Sequence, residues 1–555
     1  MKNRILKTDI VYPRPQLKRN SFLSLNGTWD YKICNDNQKK EYKDCIKVPY
    51  SPESKLSTVN KVVHPDEELW YKKIVTIPSD FINDKIIINF GAVDQICEVY
   101  INNQFAYKHI GGYTPFSVDI TKFIADNQFK IELKVKDYTE ENEFSRGKQS
   151  LNPKGIWYQA QSGVWQDVWL ESVPDEYIKN VKITSNISQS NIEILVTTNG
   201  NSMCDIKIDN QIYKIKPNVA EHITLENPIF WTLDEPYLYD VNIKCNKDEV
   251  QSYFGFRNIE IKMIDDIPRI FLNGKSIFLN GILEQGYYKN GLYTPKNFDI
   301  VYNDIKTIKD MGFNTIRKHV KIEPYLYYYY CDKLGVLVIQ DMVNGGGKYN
   351  DLLVKAPVIF NFSIKDDHYK LLKRTNQESK QLFEQEVKEA VNNLYNFPSI
   401  IMWTVFNEGW GQYDSDKFYD IIKEIDSTRL IDLNSGWFDQ QNGDVKSDHC
   451  YLKKYKYNKD NFDRAVILSE YGGFSFGKGK KYTYGNYRTE KEYLLKLKKC
   501  IEEEIKPLIE QGLCGAIYTQ YNDIENEKNG LVDENRKVKT IGVKKIFSGL
   551  GENNE

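Results

Sequence analysis

Near residue 265 the spacing of apolar residues along this chain changes period, and no other feature limits the fold as strongly. Before it the pattern is of short alternating runs, such as Lys85-Ile86-Ile87-Ile88-Asn89-Phe90 and Cys97-Glu98-Val99-Tyr100-Ile101, broken by turn residues. Alternation with period two predicts half-buried strands, and many short strands at this spacing predict β-sandwiches. Beyond it, apolar runs alternate with helical patterns: Val301, Ile305, Ile308 and Met311 before Gly312, and Phe418, Ile421, Ile422 and Ile425 after the N-cap candidates Asp414 and Ser415. Strands alternating with helices predict parallel βα units. Eight strand candidates can be counted, at 277–281, 313–319, 335–341, 399–407, 430–435, 446–451, 465–470 and 514–521. Eight such units predict a (β/α)8 TIM barrel. A doubly wound open sheet is the alternative, but no GxGxxG follows any strand.

The chain, at 555 residues, is too long for one core. A break at Glu171-Ser172-Val173-Pro174 divides the first half, so three domains are expected: residues 1–174, residues 175–262 with the size of an immunoglobulin-like β-sandwich, and residues 263–555. A formal charge of −2 provides no field for a phosphate backbone, which argues against nucleic-acid binding. No window has the apolar length of a membrane helix, and the start, Met1 to Asp9, has no stretch that reads as a signal peptide. Nine cysteines lie singly with no CxxC pair, which reads as reduced thiols and a cytoplasmic location.

Two glutamates stand at the polar ends of apolar strand patterns. Glu408 closes the run Ser399 to Asn407, and Glu470 closes Ala465-Val466-Ile467-Leu468-Ser469 before Tyr471-Gly472-Gly473. With eight strands they end the fourth and seventh, at the barrel face where such folds keep their chemistry. Paired carboxylates there point to glycoside hydrolysis. Each has a bland reading: Glu408 as a helix-start residue, Glu470 as a strand end before a Gly-Gly turn. Asn407 beside Glu408 can bond a sugar hydroxyl, and Trp403 and Trp410 can form a platform. Arg317, His319 and His449 also end strands, Tyr451 follows His449 on the same strand, and Trp437 stands after the fifth strand. All are candidate substrate contacts, although tyrosine is abundant and most such rings are structural. No further ligands stand near the histidines at metal spacing, so no metal and no cofactor is expected.

Further residues carry a resemblance to family 2 glycoside hydrolases, which include β-galactosidases, β-glucuronidases and β-mannosidases. Leu25-Asn26-Gly27-Thr28-Trp29, Trp70-Tyr71-Lys72-Lys73, Gly111 to Phe116 and Ser162 to Glu171 resemble that family's jelly-roll sugar-binding-type domain. Trp231 to Tyr239 and Phe254-Gly255-Phe256-Arg257 look like the end of its immunoglobulin-like domain, and Phe271-Leu272-Asn273-Gly274-Lys275 like the lead into its barrel. The resemblance implies Glu408 as acid/base and Glu470 as nucleophile of a retaining double displacement. The chain departs from the family at Gly281 to Tyr287, which lacks the Asn-Arg-His stretch of typical β-galactosidases, so that group's metal ligands do not carry over. Tyr518-Thr519-Gln520-Tyr521 stands where many members carry tryptophan, and Gln520 is read as a sugar contact. Asn526-Glu527-Lys528 has the Asn-x-Lys spelling by which β-glucuronidases hold a sugar carboxylate, but its polar surroundings read as coincidence.

The expected function is a retaining exo-β-glycosidase acting on a glycoside or oligosaccharide, with β-galactosidase ahead of β-glucuronidase. A non-catalytic carbohydrate-binding protein on the same fold is the alternative, and an oxidoreductase has no nucleotide fingerprint to support it. The fold also leaves a homo-oligomer open.

Overall fold

A computed structural model describes residues 12–550 apart from 36–40, 43, 82, 361 and 479–480. The N-terminal segment read for a signal peptide therefore lies outside the described residues, except for its surroundings from Tyr12 onward.

The first sandwich faces a four-stranded sheet (Phe22–Ser24, Val168–Val173, Lys85–Phe90, Phe116–Asp119) against a six-stranded one built around Glu67–Thr76 and Gln128–Lys136. Alternation decides which side chains enter the core: in Ile96–Ile101, Cys97, Val99 and Ile101 are buried while their neighbours are half-exposed. Trp29, Tyr71, Ile88 and Phe90 complete that core. A second, smaller sandwich packs Ile178–Asn186, Asn191–Thr198 and Glu221–Thr224 against a four-stranded sheet containing Cys204–Ile208 and Tyr239–Cys245. Here Cys204 and Cys245 sit opposite each other in antiparallel register and form a disulfide. The reading of all nine cysteines as free thiols is corrected by that pairing. It could not be foreseen because 41 residues separate the two in sequence, and cross-strand register is not visible in a spacing rule.

The third unit is an eight-stranded parallel sheet: β1 (Leu279–Glu284), β2 (Thr315–Lys318), β3 (Leu337–Asp341), β4 (Ile400–Asn407), β5 (Leu430–Ser435), β6 (Val445–Cys450), β7 (Ala465–Gly472) and β8 (Leu513–Thr519). The strand order is β5-β4-β3-β2-β1-β8-β7-β6, and the bridge between Gly436 and Asp448 joins the two outer strands into a barrel. Seven of the eight strands are buried along their whole length, and β6 alone keeps the alternation. Burial on both faces is why these segments read as near-continuous apolar runs. Helices such as Phe298–Asp310 and Gln377–Leu394 cover the outside with Val301, Ile305 and Ile308, and with Phe383, Val387 and Val391.

Candidate active site

The C-terminal ends of the barrel strands bring most of the expected residues together. Glu408 follows β4 directly, in the left-handed region at φ 50°, and its N–H donates to Ser435 O at 2.8 Å. That turn is uncommon for a glutamate and points the side chain over the barrel mouth. On β6 and β7 the strand register shifts at Asp448/His449 and at Leu468/Tyr471. Such bulges re-aim side chains, and here they turn His449 and Glu470 inward.

His449 lies between the two acids, with Nδ1 2.8 Å from a Glu408 oxygen and Nε2 3.5 Å from a Glu470 oxygen. One oxygen of each carboxylate and one ring nitrogen fall within 4.8 Å of one another. Among the described residues this is the one His/Cys/Asp/Glu cluster with metal-ligand spacing. A cation there is opposed by Arg317, whose Nη1 is 3.2 Å from His449 Nε2. Arg317 also donates Nη1 to Glu470 (3.2 Å), Nη2 to Asn407 Oδ1 (2.7 Å), and both Nε and Nη2 to Asp341. Tyr451 donates its hydroxyl to the other Glu470 oxygen and stacks on Tyr484 at 3.7 Å.

Burial alone would raise the Glu470 carboxyl. The basic side chains around it, His449 first and then His319, Arg317 and Lys148, outweigh that and push it down to about 2. His319 is itself pushed well below its ordinary value, first by burial and then by the Lys148 charge, so its ring is neutral at pH 7. Nδ1 of His319 lies 2.8 Å from Asp341 and donates to it, which leaves Nε2 as an acceptor. Asn407 Nδ2, Trp410 Nε1 and Trp437 Nε1 are buried donors with no protein partner. Buried polar atoms seldom stay unpaired, and three donors around two carboxylates match the acceptors of a sugar ring.

Two residues expected at the sugar are engaged with protein partners instead. Trp403 faces the helix Asp416–Ile425, outside the strands, because its indole N–H donates to Asp426 at 2.9 Å and the Arg429 guanidinium covers its ring. Gln520 uses both ends of its amide within the protein, donating to Asn529 and accepting from Gln285. Lys528 pairs with Glu534 at 3.3 Å, lining a separate cavity with Lys481 and Asp533, and Asn526 is exposed. Asp341, Ser435, Tyr484 and Lys148 were not singled out in the sequence. Asp341 carries a signal in hindsight, an acid closing the apolar run of β3, whereas Lys148 comes from a loop of the first sandwich and carries none.

A cleft of about 480 Å³ opens above Glu408 between barrel loops and the loop of residues 140–157 of the first sandwich. Trp157 from that loop packs on Trp410 at 4.9 Å between ring centres.

Residues 263–540 match the model of the glycosyl hydrolases family 2 TIM barrel domain. The chain belongs to glycosyl hydrolase family 2. The family's sugar binding domain matches residues 47–174, and the further model named for the family matches residues 171–257. Among its relatives, a putative β-glucuronidase of Formosa agariphila is 27% identical over 73% of this chain and 50% of its own length. A β-galactosidase of Thermoanaerobacter pseudethanolicus is 25% identical over 64% of this chain and 46% of its own. The chain thus spans about half the length of these two relatives. The solved structure of a family 2 β-galacturonidase from Eisenbergiella tayi superposes with a TM-score of 0.75 at 19% identity, over 98% of this chain and 99% of that one. At that identity the superposition speaks for the fold.

Proposed function

We propose that this family 2 chain is a retaining exo-β-glycosidase, with Glu470 as nucleophile, Glu408 as acid/base, and a terminal β-linked uronic acid as the sugar it removes. The observation that carries the mechanism is the approach of the two carboxylates to within 4.8 Å. Retaining pairs stand about 5–5.5 Å apart, and inverting pairs roughly 6.5–9.5 Å to admit a water between them. Glu470, ionised at neutral pH, forms a bond to the anomeric carbon as the bond to the leaving oxygen breaks, and that oxygen takes the proton of Glu408. Water then gives its proton to Glu408 and its oxygen to the anomeric carbon, and the ester to Glu470 breaks. Tyr451 and Arg317 hold Glu470 in line throughout. The uronic acid is supported by the name of the Formosa agariphila relative; the name β-galactosidase on the Thermoanaerobacter pseudethanolicus relative keeps the galactoside as the second reading.

A nitrophenyl panel of β-glucuronide, β-galacturonide, β-galactoside, β-glucoside and β-mannoside tests both halves. The expected result is highest kcat/KM on a uronide, with the β-anomer appearing first by proton NMR. Glu470→Gln should lower kcat by on the order of 10⁴-fold or more, the scale of nucleophile deletions. First appearance of the α-anomer, or no turnover on any member of the panel, overturns the mechanism.

A further inference from the structure

Lys148 is an ammonium brought to this site by another domain, close enough for its charge to act on Glu470. The loop that carries it docks on the barrel rim: Arg146 N and Gly147 N both donate to Asn344 O at 3.0 Å, and the Arg146 guanidinium donates to Gly346 O. Gly147 sits at φ 61°, and any Cβ there would press on Val320 O at 2.8 Å, so the loop is seated as tightly as its backbone allows. Lys148 is 5% exposed. Its Nζ lies 5.5 Å from the Tyr158 ring centre and 5.8 Å from that of Trp410. Rings steady an ammonium but do not replace hydrogen-bond acceptors. Among the described residues Nζ has no acceptor and no ion-pair partner. The two acids whose charge it feels are engaged elsewhere: Glu527 accepts from Tyr158 and from Asn529 (3.0 Å), and Glu470 accepts from Tyr451 and Arg317. A buried cation left without a partner is costly, and its loop neighbours Arg146 and Gln149 line the cleft above Glu408. Lys528, which has the spelling for this task, is paired with Glu534 outside the site.

We propose that Lys148 is a specificity-determining residue that binds the carboxylate of the terminal uronic acid, so that the first sandwich reads the acid group while the barrel breaks the bond. This rests on the assignment of Glu408 and Glu470 as the reacting pair. In the full chain, Lys148→Met should lower the ratio of kcat/KM for nitrophenyl β-uronide over the matching neutral β-glycoside by about 10- to 150-fold, the worth of one hydrogen bond to a charged group. Lys148→Arg should restore part of that ratio. If Lys148 only balances the charge of Glu470, both substrates lose activity alike and the ratio stays constant, which overturns the proposal. Titration of free D-glucuronate and D-galacturonate against D-glucose and D-galactose separates the two readings without turnover. A preference for the uronates that vanishes in Lys148→Met supports the site even if hydrolysis fails. Equal binding of acidic and neutral sugars by the unaltered chain overturns it even if neutral glycosides are hydrolysed with retention.

Discussion

Arg317 holds Asp341, Asn407 and Glu470 with one buried guanidinium, and a planar fork with several donors is the side chain suited to that. Its charge is among those that push Glu470 down to about 2. Removing it must therefore raise the carboxyl. Arg317→Met is expected to move the acidic limb of kcat/KM upward by about one to three pH units, the effect of one adjacent arginine on a carboxylate. Arg317→Lys keeps the charge without the fork, so its limb should stay near that of the unaltered chain while kcat falls. A limb that does not move in the Met variant would sink the electrostatic role. At this scale the two glutamates were legible because a carboxylate closing an apolar strand has few other reasons to be there. Trp403 was misplaced because an aromatic on a barrel strand can face the helices as well as the mouth. Its real partner, Asp426, lies 23 residues on, and nothing in the local pattern shows the pairing.

Elements decide how far these side chains can stray. β7 delivers Glu470 and then turns through Gly472 at φ 84° and Gly473 at φ 68°. A Cβ on Gly472 would run into the Tyr518 ring of β8. Gly472→Ala therefore meets two costs together, a left-handed backbone of roughly 1–2 kcal/mol and a displaced aromatic ring. Glu470 is two residues away, so kcat is expected to fall by at least about tenfold; kcat within twofold of the unaltered chain would show that the turn does not position the nucleophile. The strands themselves were legible, since burial on both faces produces continuous apolar runs that stand out from the helices between them. Register was not. The shifts at His449 and in β7 before Tyr471 are set by neighbouring strands, and so is the facing of Cys204 and Cys245.

At the scale of the whole molecule the site depends on the first sandwich staying docked, because Trp157 reaches the cleft, and Lys148 the Trp410 ring, only through that contact. The period change in the sequence reveals that two kinds of unit exist. It cannot reveal that a loop of one completes the mouth of the other, since docking surfaces leave no periodicity. The helix Gln377–Leu394 carries part of this contact: Ser145 donates its hydroxyl to Glu386, and Thr114 donates to Glu389 at 2.7 Å. Burial pushes the Glu386 carboxyl up from near 4.5 to about 7, against the Ser145 hydrogen bond, and its second oxygen has no partner. A raised carboxyl favours the folded, docked state while protonated. Its contribution is whole below about pH 4.5 and drains away as pH climbs through about 7, a loss of at most about 3 kcal/mol. Glu386→Gln keeps the shape and removes the titration. Its thermal midpoint should match that of the unaltered chain at pH 5 and exceed it by a few degrees at pH 8.5. Other buried acids pushed up in the same way, Glu53 to about 8 and Asp332 to about 7, titrate equally in both proteins and cancel in the difference. Calorimetric scans of the two proteins at both pH values measure it directly. An equal gap at the two pH values would mean that Glu386 is not the charge that loosens the docked sandwich.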